Sequence, residues 1–177
     1  MTTHVELKPL ESHDRQRFTA EMQEAFQTAL EQTDEQHPLP VLPAEDIEKS
    51  LTHPGAEALV AWSQGQPVGG AIIFPDRTRQ EHECALLYVS ASAHGQGVGT
   101  ALWQAIEDYY PEAKAWKLCT PYFERRNVHF YLRKCGFHIV DLFEDTTRGV
   151  TCADDERDWM FTFIKRRDGL WAAPTVQ

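Results

Sequence analysis

The sequence predicts a single α/β domain built on a mixed, mostly antiparallel twisted sheet of about seven strands flanked by about four helices. Its 177 residues suffice for one domain with a sizeable core and are too few for two. Strand-like and helix-like segments alternate along the chain, and neither a repeat nor a linker interrupts them. We therefore expect one domain over residues 1–167, followed by a short C-terminal tail over residues 168–177.

Composition and charge narrow the class of protein. Hydrophobic residues make up 42% and charged residues 25%, as in ordinary globular domains. The sequence lacks an apolar run long enough to span a membrane, and "MTTHVELKPL" has no signal-peptide pattern, so we expect a cytoplasmic protein that does not bind membranes. The formal net charge of -10 disfavours nucleic-acid binding and favours cationic partners.

The cysteines and histidines do not suggest a disulfide framework or a metal site. Cys84, Cys119, Cys135 and Cys152 are far apart and form no CxxC pair, which indicates reduced thiols that belong mostly to the core. The eight histidines have no metal-ligand spacing. We therefore expect no metal.

The first elements are predicted from local patterns. "HVELKPL" is typical of a strand, and the segment from Ser12 to Gln32 is typical of a helix with Ser12 as N-cap. The apolar stripe of this helix comprises Phe18, Met22, Ala25, Phe26 and Ala29. The acidic, proline-rich "TDEQHPLPVLP" indicates a loop, and "AEDIEKSL" indicates a short helix.

The remaining elements follow in order. "EALVAW" and "VGGAIIF" flank the turn sequence "SQGQP" and predict a hairpin, and the next strand ends at Val89. A helix follows the glycine-rich stretch, "AWKLCT" predicts a strand, and "ERRNVHFYLRKC" predicts a helix that Gly136 ends. "FHIVDLFE" and "DWMFTFI" predict the last two strands, with Trp159, Phe161 and Phe163 on one face. The tail is expected to be irregular.

Three glycines occur where a strand leads into a helix, in "HGQGVGTALW". Unpaired amides and partial positive charge at a helix N-terminus attract phosphate, and glycines allow the backbone to approach it. A dinucleotide fingerprint would need a third glycine at position 100, which is Thr100, and the Gly-Lys followed by Ser or Thr that a P-loop needs is missing. The alternative is a glycine-rich turn that only makes room for helix–strand packing.

The segment "LYVSASAHGQGVGTAL" resembles motif A of the GCN5-related N-acetyltransferases, the GNAT superfamily. Gly97 and Gly99 match the two small positions of the motif, and His94 stands where Gln or Arg is usual. Leu87, Tyr88 and Val89 match the end of the preceding strand. The order of predicted elements also resembles the family over about residues 4 to 165, so the predicted domain is GNAT-like.

The resemblance implies acetyl-CoA as cosubstrate and acetyl transfer to a primary amine by direct attack in a ternary complex, with no nucleophilic cysteine. The strand ending at Val89 is implied to splay from the "AWKLCT" strand, so that the pantetheine arm pairs with the backbone of Leu87, Tyr88 and Val89. The implied pyrophosphate-binding amides belong to His94, Gly95, Gln96, Gly97, Val98, Gly99 and Thr100.

A proton donor is needed for the departing thiolate, and "HFYLRKCGF" resembles the second cofactor motif of the family, which implies Tyr131. The spacing is irregular, because Tyr131 lies five residues before Gly136 where four is usual, and Leu132 occupies the usual tyrosine register. A one-residue helix bulge would restore Tyr131. Asn127 is implied as a cofactor contact, although the motif asparagine would fall at Glu124. The alternative for Tyr131 is an aromatic side chain packed at a helix end.

The attacking amine must lose a proton, because an alkyl ammonium with a pKa of about 10.4 is not a nucleophile. Glu83 lies six residues before Val89, where the histone-acetylating branch of the family carries its catalytic glutamate. Strand alternation places residues 83, 85, 87 and 89 on one face. His82 is the alternative base on pKa grounds, and a solvated carboxylate without a catalytic role is the alternative for Glu83.

The acceptor is predicted from charge. Glu31, Asp34 and Glu35 lie where the resemblance places part of the acceptor entrance, which favours a cationic small-molecule or peptide amine. Acidic surface loops often only solvate a protein, which is the alternative. A non-catalytic acyl-CoA-binding sensor or interaction module is the alternative function, and the sequence leaves the choice between monomer and homodimer undecided.

Overall fold

The computed structural model describes residues 2–31, 42–145 and 159–169. These residues contain seven strands and four α-helices, which confirms the predicted α/β class and mixed sheet. The elements are β1 Glu6–Pro9, α1 Arg15–Glu31, α2 Ala44–Thr52, β2 Glu57–Ser63, β3 Gln66–Phe74, β4 Glu81–Val89, α3 Val98–Tyr109, β5 Ala115–Pro121, α4 Arg125–Arg133, β6 His138–Glu144 and β7 Trp159–Arg166. Short 3₁₀ turns lie at Ser12–Asp14 and Ala91–Ala93.

The chain divides into two compact units. One comprises Met1–Pro75 and Cys84–Pro111, and the other comprises Asp76–Glu83 and Glu112–Gln177. In the first unit, β1 pairs antiparallel with β2, and β2 pairs antiparallel with β3 around the predicted turn. In the second, the start of β4 pairs parallel with β5 over Glu81–Glu83 and Ala115–Lys117, and β7 lies antiparallel between β5 and β6.

The core of the first unit forms between α1, α2 and the sheet. Phe18, Met22 and Ala25 of the predicted apolar stripe are buried, together with Ile47 of α2 and Tyr88 of β4. The ring of Phe18 meets that of Tyr88 edge-on, with centroids 5.5 Å apart. A Cβ atom at Gly70 would lie 2.6 Å from the Phe18 ring, so only glycine lets α1 approach β3 this closely. The helical spacing of the stripe therefore anticipates the packing.

The prediction that Ser12 is the N-cap of the first helix is wrong. Ser12 opens a 3₁₀ turn whose N-cap is Glu11, and the side chain of this cap makes no capping hydrogen bond. The α-helix itself begins three residues later, at Arg15. A serine cap contributes only about 1 kcal/mol, so this local preference is weak and does not by itself decide where the helix begins.

The core of the second unit is aromatic. Phe163 of β7 is fully buried, and the centroid of the Tyr131 ring lies 5.8 Å from that of Phe163 and 5.7 Å from that of Phe137. Along the same face of β7, Phe161 is half-buried and Trp159 is exposed, so the predicted aromatic face runs from the core to the surface.

The last turn of α4 contains one residue more than the last turn of a regular α-helix. The Cys135 amide donates to the Phe130 carbonyl at 3.2 Å, a five-residue span as in a π-helix, and the Phe137 amide donates to the Tyr131 carbonyl at 3.0 Å. Gly136 follows with φ of +78°, which is the conformation that the prediction of a helix-ending glycine requires. The helix ends earlier than expected, at Arg133.

Over residues 2–31, 42–145 and 159–169, every helix is too short or too polar to cross a lipid bilayer. Cys84 and Cys135 are buried thiols and Cys119 is a half-buried one, as predicted, whereas Cys152 and the loop segment 32–41 lie outside the described residues.

Candidate active site

The glycine-rich loop joins β4 to α3 in the first unit. Gly95 and Gly97 adopt positive φ angles of +76° and +74°, and Gly97 is the N-cap of α3 without a side-chain capping bond. The amides of Val98, Gly99 and Thr100 open the helix, where no intrahelical acceptor exists for them. The loop therefore presents backbone donors and a positive helix dipole to an anion, which fits a pyrophosphate.

Three hydrogen bonds fix the shape of this loop. His94 Nε2 donates to the carbonyl of Val89 at 2.8 Å, and Gln96 Nε2 donates to the carbonyl of Ser92 at 3.2 Å. Thr3 Oγ1, from the segment before β1, donates to the Gln96 carbonyl at 2.7 Å. His94 thus ties the loop to the end of β4, a role that accounts for a polar side chain at this motif position.

At the end of β4, the backbone groups of successive residues point to opposite edges of the strand, and one of these edges faces β3. The Ser90 amide donates to the Val68 carbonyl of β3 at 2.9 Å, and alternation along the strand directs the backbone groups of Tyr88 to the same side. A Cβ atom at Gly69 would lie only 2.4 Å from the Tyr88 carbonyl oxygen, which agrees with this direction. The backbone groups of Leu87 and Val89 therefore point to the opposite edge of β4.

The side chain of Tyr88 is part of the core. Its hydroxyl donates to Glu21 Oε2 of α1 at 3.1 Å. Burial, followed by the charge of the Glu21 carboxylate, raises the pKa of Tyr88 well above its ordinary value. Tyr88 is therefore a neutral donor that links α1 to the end of β4.

The two candidate bases lie on opposite faces of β4. Glu83 is half-buried and stands opposite Lys117 of β5. His82 is buried, with Nε2 3.0 Å from Glu112 Oε1 and its ring edge-on to Trp116 at 5.3 Å. This hydrogen bond lowers the pKa of the Glu112 carboxyl. Glu83 is thus the more accessible of the two.

Tyr131 and Asn127 lie on α4 in the second unit. Tyr131 is buried with 7% exposure, and its ring contacts Phe130, Phe137 and Phe163. The Asn127 side-chain amide donates to the carboxylate of the buried Glu124, the residue that occupies the expected asparagine position of the motif. The pair of Glu124 and Asn127 was not predictable from motif spacing alone.

Cys119 on β5 is a half-buried thiol of the second unit. Its Sγ lies 3.9 Å from the Thr162 hydroxyl, and burial raises the pKa of the thiol. A raised pKa lowers the thiolate fraction, so Cys119 is a poor nucleophile. Among residues 2–31, 42–145 and 159–169, no cluster of ligating side chains is suited to a metal ion.

Of the predicted acidic acceptor residues, the structure describes Glu31, which is exposed at the end of α1. Asp34 and Glu35 lie outside the described residues.

A surface that the sequence analysis did not predict lies on the second unit. We call it the aromatic patch, and it consists of Tyr122, Leu142, Trp159 and Phe161. Tyr122, Leu142 and Trp159 are 38 to 44% exposed, and the Tyr122 and Phe161 rings lie 5.3 Å apart. Trp159 and Phe161 alternate along β7 in line with the buried Phe163, and this aromatic alternation was the sequence signal for the patch.

Comparison with known proteins identifies the family. The profile of the acetyltransferase (GNAT) family matches residues 19–137. The uncharacterized protein YrkN of Bacillus subtilis (strain 168) is 38% identical over 135 residues, which are 75% of this chain and 72% of YrkN.

Solved structures show the same fold at low identity. A Bacillus subtilis acetyltransferase in complex with CoA has a TM-score of 0.65 at 19% identity, covering 93% of this chain and 99% of that one. The spermidine N-acetyltransferase of Vibrio cholerae with CoA and spermine has a TM-score of 0.67 at 13% identity, covering 94% and 97%. The ribosomal-protein-S18-alanine N-acetyltransferase of Escherichia coli has a TM-score of 0.64 at 14% identity, covering 98% and 99%.

These findings support an enzyme over the alternative of a non-catalytic binding module, because the matched profile is that of an acetyltransferase. The glycine loop at the start of α3 fits the pyrophosphate of the acetyl donor. The chain belongs to the acetyltransferase (GNAT) family and is an acetyl-CoA-dependent enzyme that transfers acetyl groups to amines.

Proposed function

We propose that the enzyme acetylates a cationic primary amine by direct attack on acetyl-CoA in a ternary complex, in the cytoplasm. The observation that carries the proposal is the loop of Gly95 and Gly97 with positive φ at the start of α3. Acetyl-CoA supplies the activated acetyl thioester. The residues of the chain bind it, take a proton from the amine and return a proton to the thiolate.

Binding of the cosubstrate uses backbone groups of the first unit. The amides from His94 to Thr100 take the pyrophosphate, and the backbone groups of Leu87 and Val89 at the edge away from β3 pair with the pantetheine arm. Because the Val89 carbonyl already accepts from His94, its amide is the group left for pairing. Tyr88 contributes through its side chain, by anchoring the strand end to α1.

Glu83 is the proposed general base. Its half-buried carboxylate is accessible, whereas His82 is enclosed and already paired with Glu112. A carboxylate that accepts a proton from the ammonium, directly or through water, generates the free amine that attacks. Glu83→Gln keeps the size of the side chain and removes this capacity, which makes it the test of the assignment.

Tyr131 is the proposed general acid. Tyr131 lies one residue further from Gly136 than the motif tyrosine usually does. The π-type last turn of α4 contains one extra residue, which accounts for this difference and supports Tyr131 over Leu132 at the motif position. Aromatic packing on three sides fixes the direction of the ring. Asn127, held by Glu124, is the proposed polar contact to the cosubstrate on the same helix.

The aromatic patch supports a cationic acceptor. Trp159 pairs across the strands with Glu144, and Phe161 pairs with Leu142, so an acidic side chain shares a face with exposed rings. Asp145 follows directly. Aromatic faces beside carboxylates attract ammonium groups, with about 0.5–2 kcal/mol per cation–π contact. The exposed Glu31 of α1, in the first unit, remains a proposed acidic contact for the acceptor.

The acceptor class is tested with paired amines that differ in charge. A polyamine and an acidic amino acid are compared by kcat/KM at low and high salt. The proposal predicts a preference for the polyamine that declines as salt increases. Trp159→Ala should raise the KM for the polyamine, whereas Tyr109→Ala, which removes an equally exposed ring from α3, should not. Preference for the acidic amine, or equal effects of the two substitutions, would refute the acceptor class.

Initial velocities distinguish direct transfer in a ternary complex from transfer through an acetylated enzyme. Direct attack requires both substrates to be bound together, so reciprocal plots at several fixed acceptor concentrations should intersect. Parallel lines would indicate an acetylated enzyme and would bring Cys119 back as a nucleophile.

A further inference from the structure

The segment before β1 contacts the glycine loop. Thr3 lies three residues before β1, and its hydroxyl donates to the Gln96 carbonyl at 2.7 Å across 93 residues of sequence. Among residues 2–31, 42–145 and 159–169, and apart from the chain next to Gly97 itself, this hydroxyl oxygen is the one atom within 4 Å of the position that a Cβ atom would take at Gly97. Both contacts lie within the first unit.

This bond sets the direction of a backbone amide. The Gln96 carbonyl and the Gly97 amide belong to one planar trans peptide unit, so they point in opposite directions. When Thr3 holds the carbonyl, the Gly97 N–H is directed away from Thr3. Without the bond, Gly97 would let the peptide rotate, because glycine accepts both signs of φ.

The other two bonds of the loop are local. The side chain of His94 bonds to Val89 at the end of β4, and that of Gln96 bonds to Ser92, so both contacts reach only the chain five and four residues before them. Thr3 instead connects the loop to a strand that pairs with β2. It is thus a long-range support at the peptide between Gln96 and Gly97.

We propose that Thr3 is a positioning residue for the cosubstrate, which holds the Gly97 amide in the direction that binds the pyrophosphate of acetyl-CoA. The inference rests on the proposed role of the loop in binding this pyrophosphate. It adds the N-terminal segment, which no motif indicates, to the determinants of cosubstrate affinity.

The test uses three substitutions with matched chemistry. Thr3→Val keeps the shape and removes the hydroxyl, Thr3→Ser keeps the hydroxyl, and Thr2→Val makes the same change at the exposed neighbouring residue. Loss of one hydrogen bond should weaken CoA binding about three- to tenfold in Thr3→Val, measured by calorimetry. Thr3→Ser and Thr2→Val should remain within twofold of the wild type.

Kinetics separate positioning from a merely structural effect. Thr3→Val should raise the KM for acetyl-CoA by a similar factor, while kcat, the KM for the acceptor and the melting temperature of the ligand-free protein stay unchanged. Wild-type affinity in Thr3→Val, or an equal loss in Thr2→Val, would overturn the proposal. A wild-type protein that does not bind CoA would instead refute the proposed function of the loop.

Discussion

Gly97 offers a direct test of the pyrophosphate loop, because two substitutions of equal size there differ by one charge. Its φ is +74°, and within the part of the chain that the structure describes a Cβ atom would meet Thr3 Oγ1 at 3.8 Å, an ordinary van der Waals distance, so a side chain fits there without a clash. Asn and Asp tolerate positive φ better than other residues with side chains. Gly97→Asn therefore reports the backbone strain, and Gly97→Asp reports the strain together with the charge.

The two contributions can be estimated separately. Strain at positive φ destabilises both variants by about 1 kcal/mol. A carboxylate at about 5 Å from one pyrophosphate charge costs about 3 kcal/mol at an effective dielectric constant of about 20. Because 1.4 kcal/mol corresponds to a factor of ten, Gly97→Asp should bind CoA about 10²-fold more weakly than Gly97→Asn.

Calorimetric titration of CoA into the wild type and both variants measures this difference. Melting curves of the ligand-free proteins show that strain alone is equal in the two variants, and added salt should reduce the gap in affinity. Equal CoA affinities for the Asn and Asp variants, within about threefold, would refute the placement of the pyrophosphate at this loop.

Three further predictions concern the second unit. Tyr131→Phe keeps the aromatic packing and should lower kcat about 10²-fold with little change in CoA affinity; an unchanged kcat would assign the proton to water. Glu83→Gln should lower the rate at neutral pH, and the loss should shrink at high pH as free amine accumulates; pH profiles parallel to the wild type would exclude Glu83 as the base. Glu112→Gln removes a carboxyl whose pKa the hydrogen bond with His82 lowers, and it should reduce the unfolding free energy at neutral pH by less than about 1 kcal/mol, because solvent screens this partly exposed group. A lowered carboxyl pKa stabilises the fold above the unfolded-state pKa, and this contribution is lost as pH falls through the folded-state pKa. The difference in urea unfolding between wild type and Glu112→Gln should therefore begin to shrink as the pH falls below about 4.5, the ordinary pKa of a glutamate side chain, and a difference that stays constant on further acidification would contradict the assignment.

Local patterns predicted most elements of the fold. The hairpin of β2 and β3 forms around Gln64 and Gly65, both at positive φ, as the turn sequence indicates. The helix after the glycine loop begins at Val98, where helix-forming residues begin. Such patterns succeed because periodicity and turn preferences act over a few residues.

The contacts that position the candidate site are instead long-range. Tyr88 bonds to Glu21 across 67 residues and Thr3 to Gln96 across 93, and neither pair leaves a periodic signal. The spacing of Tyr131 and Gly136 suggests an extra residue near the end of α4. The hydrogen bonds of the Cys135 and Phe137 amides show that this residue lies in the last turn. Motif resemblance thus supplied the proposed site residues, and the structure shows the contacts that hold them.

Steady-state release of CoA thiol from acetyl-CoA, measured with a panel of primary amines and with mass spectrometry of the products, tests the central claim most directly. The proposed function predicts turnover that depends on both substrates, one added acetyl group on the amine, and the highest kcat/KM for cationic amines. Binding of acetyl-CoA without turnover of any amine in the panel would contradict it.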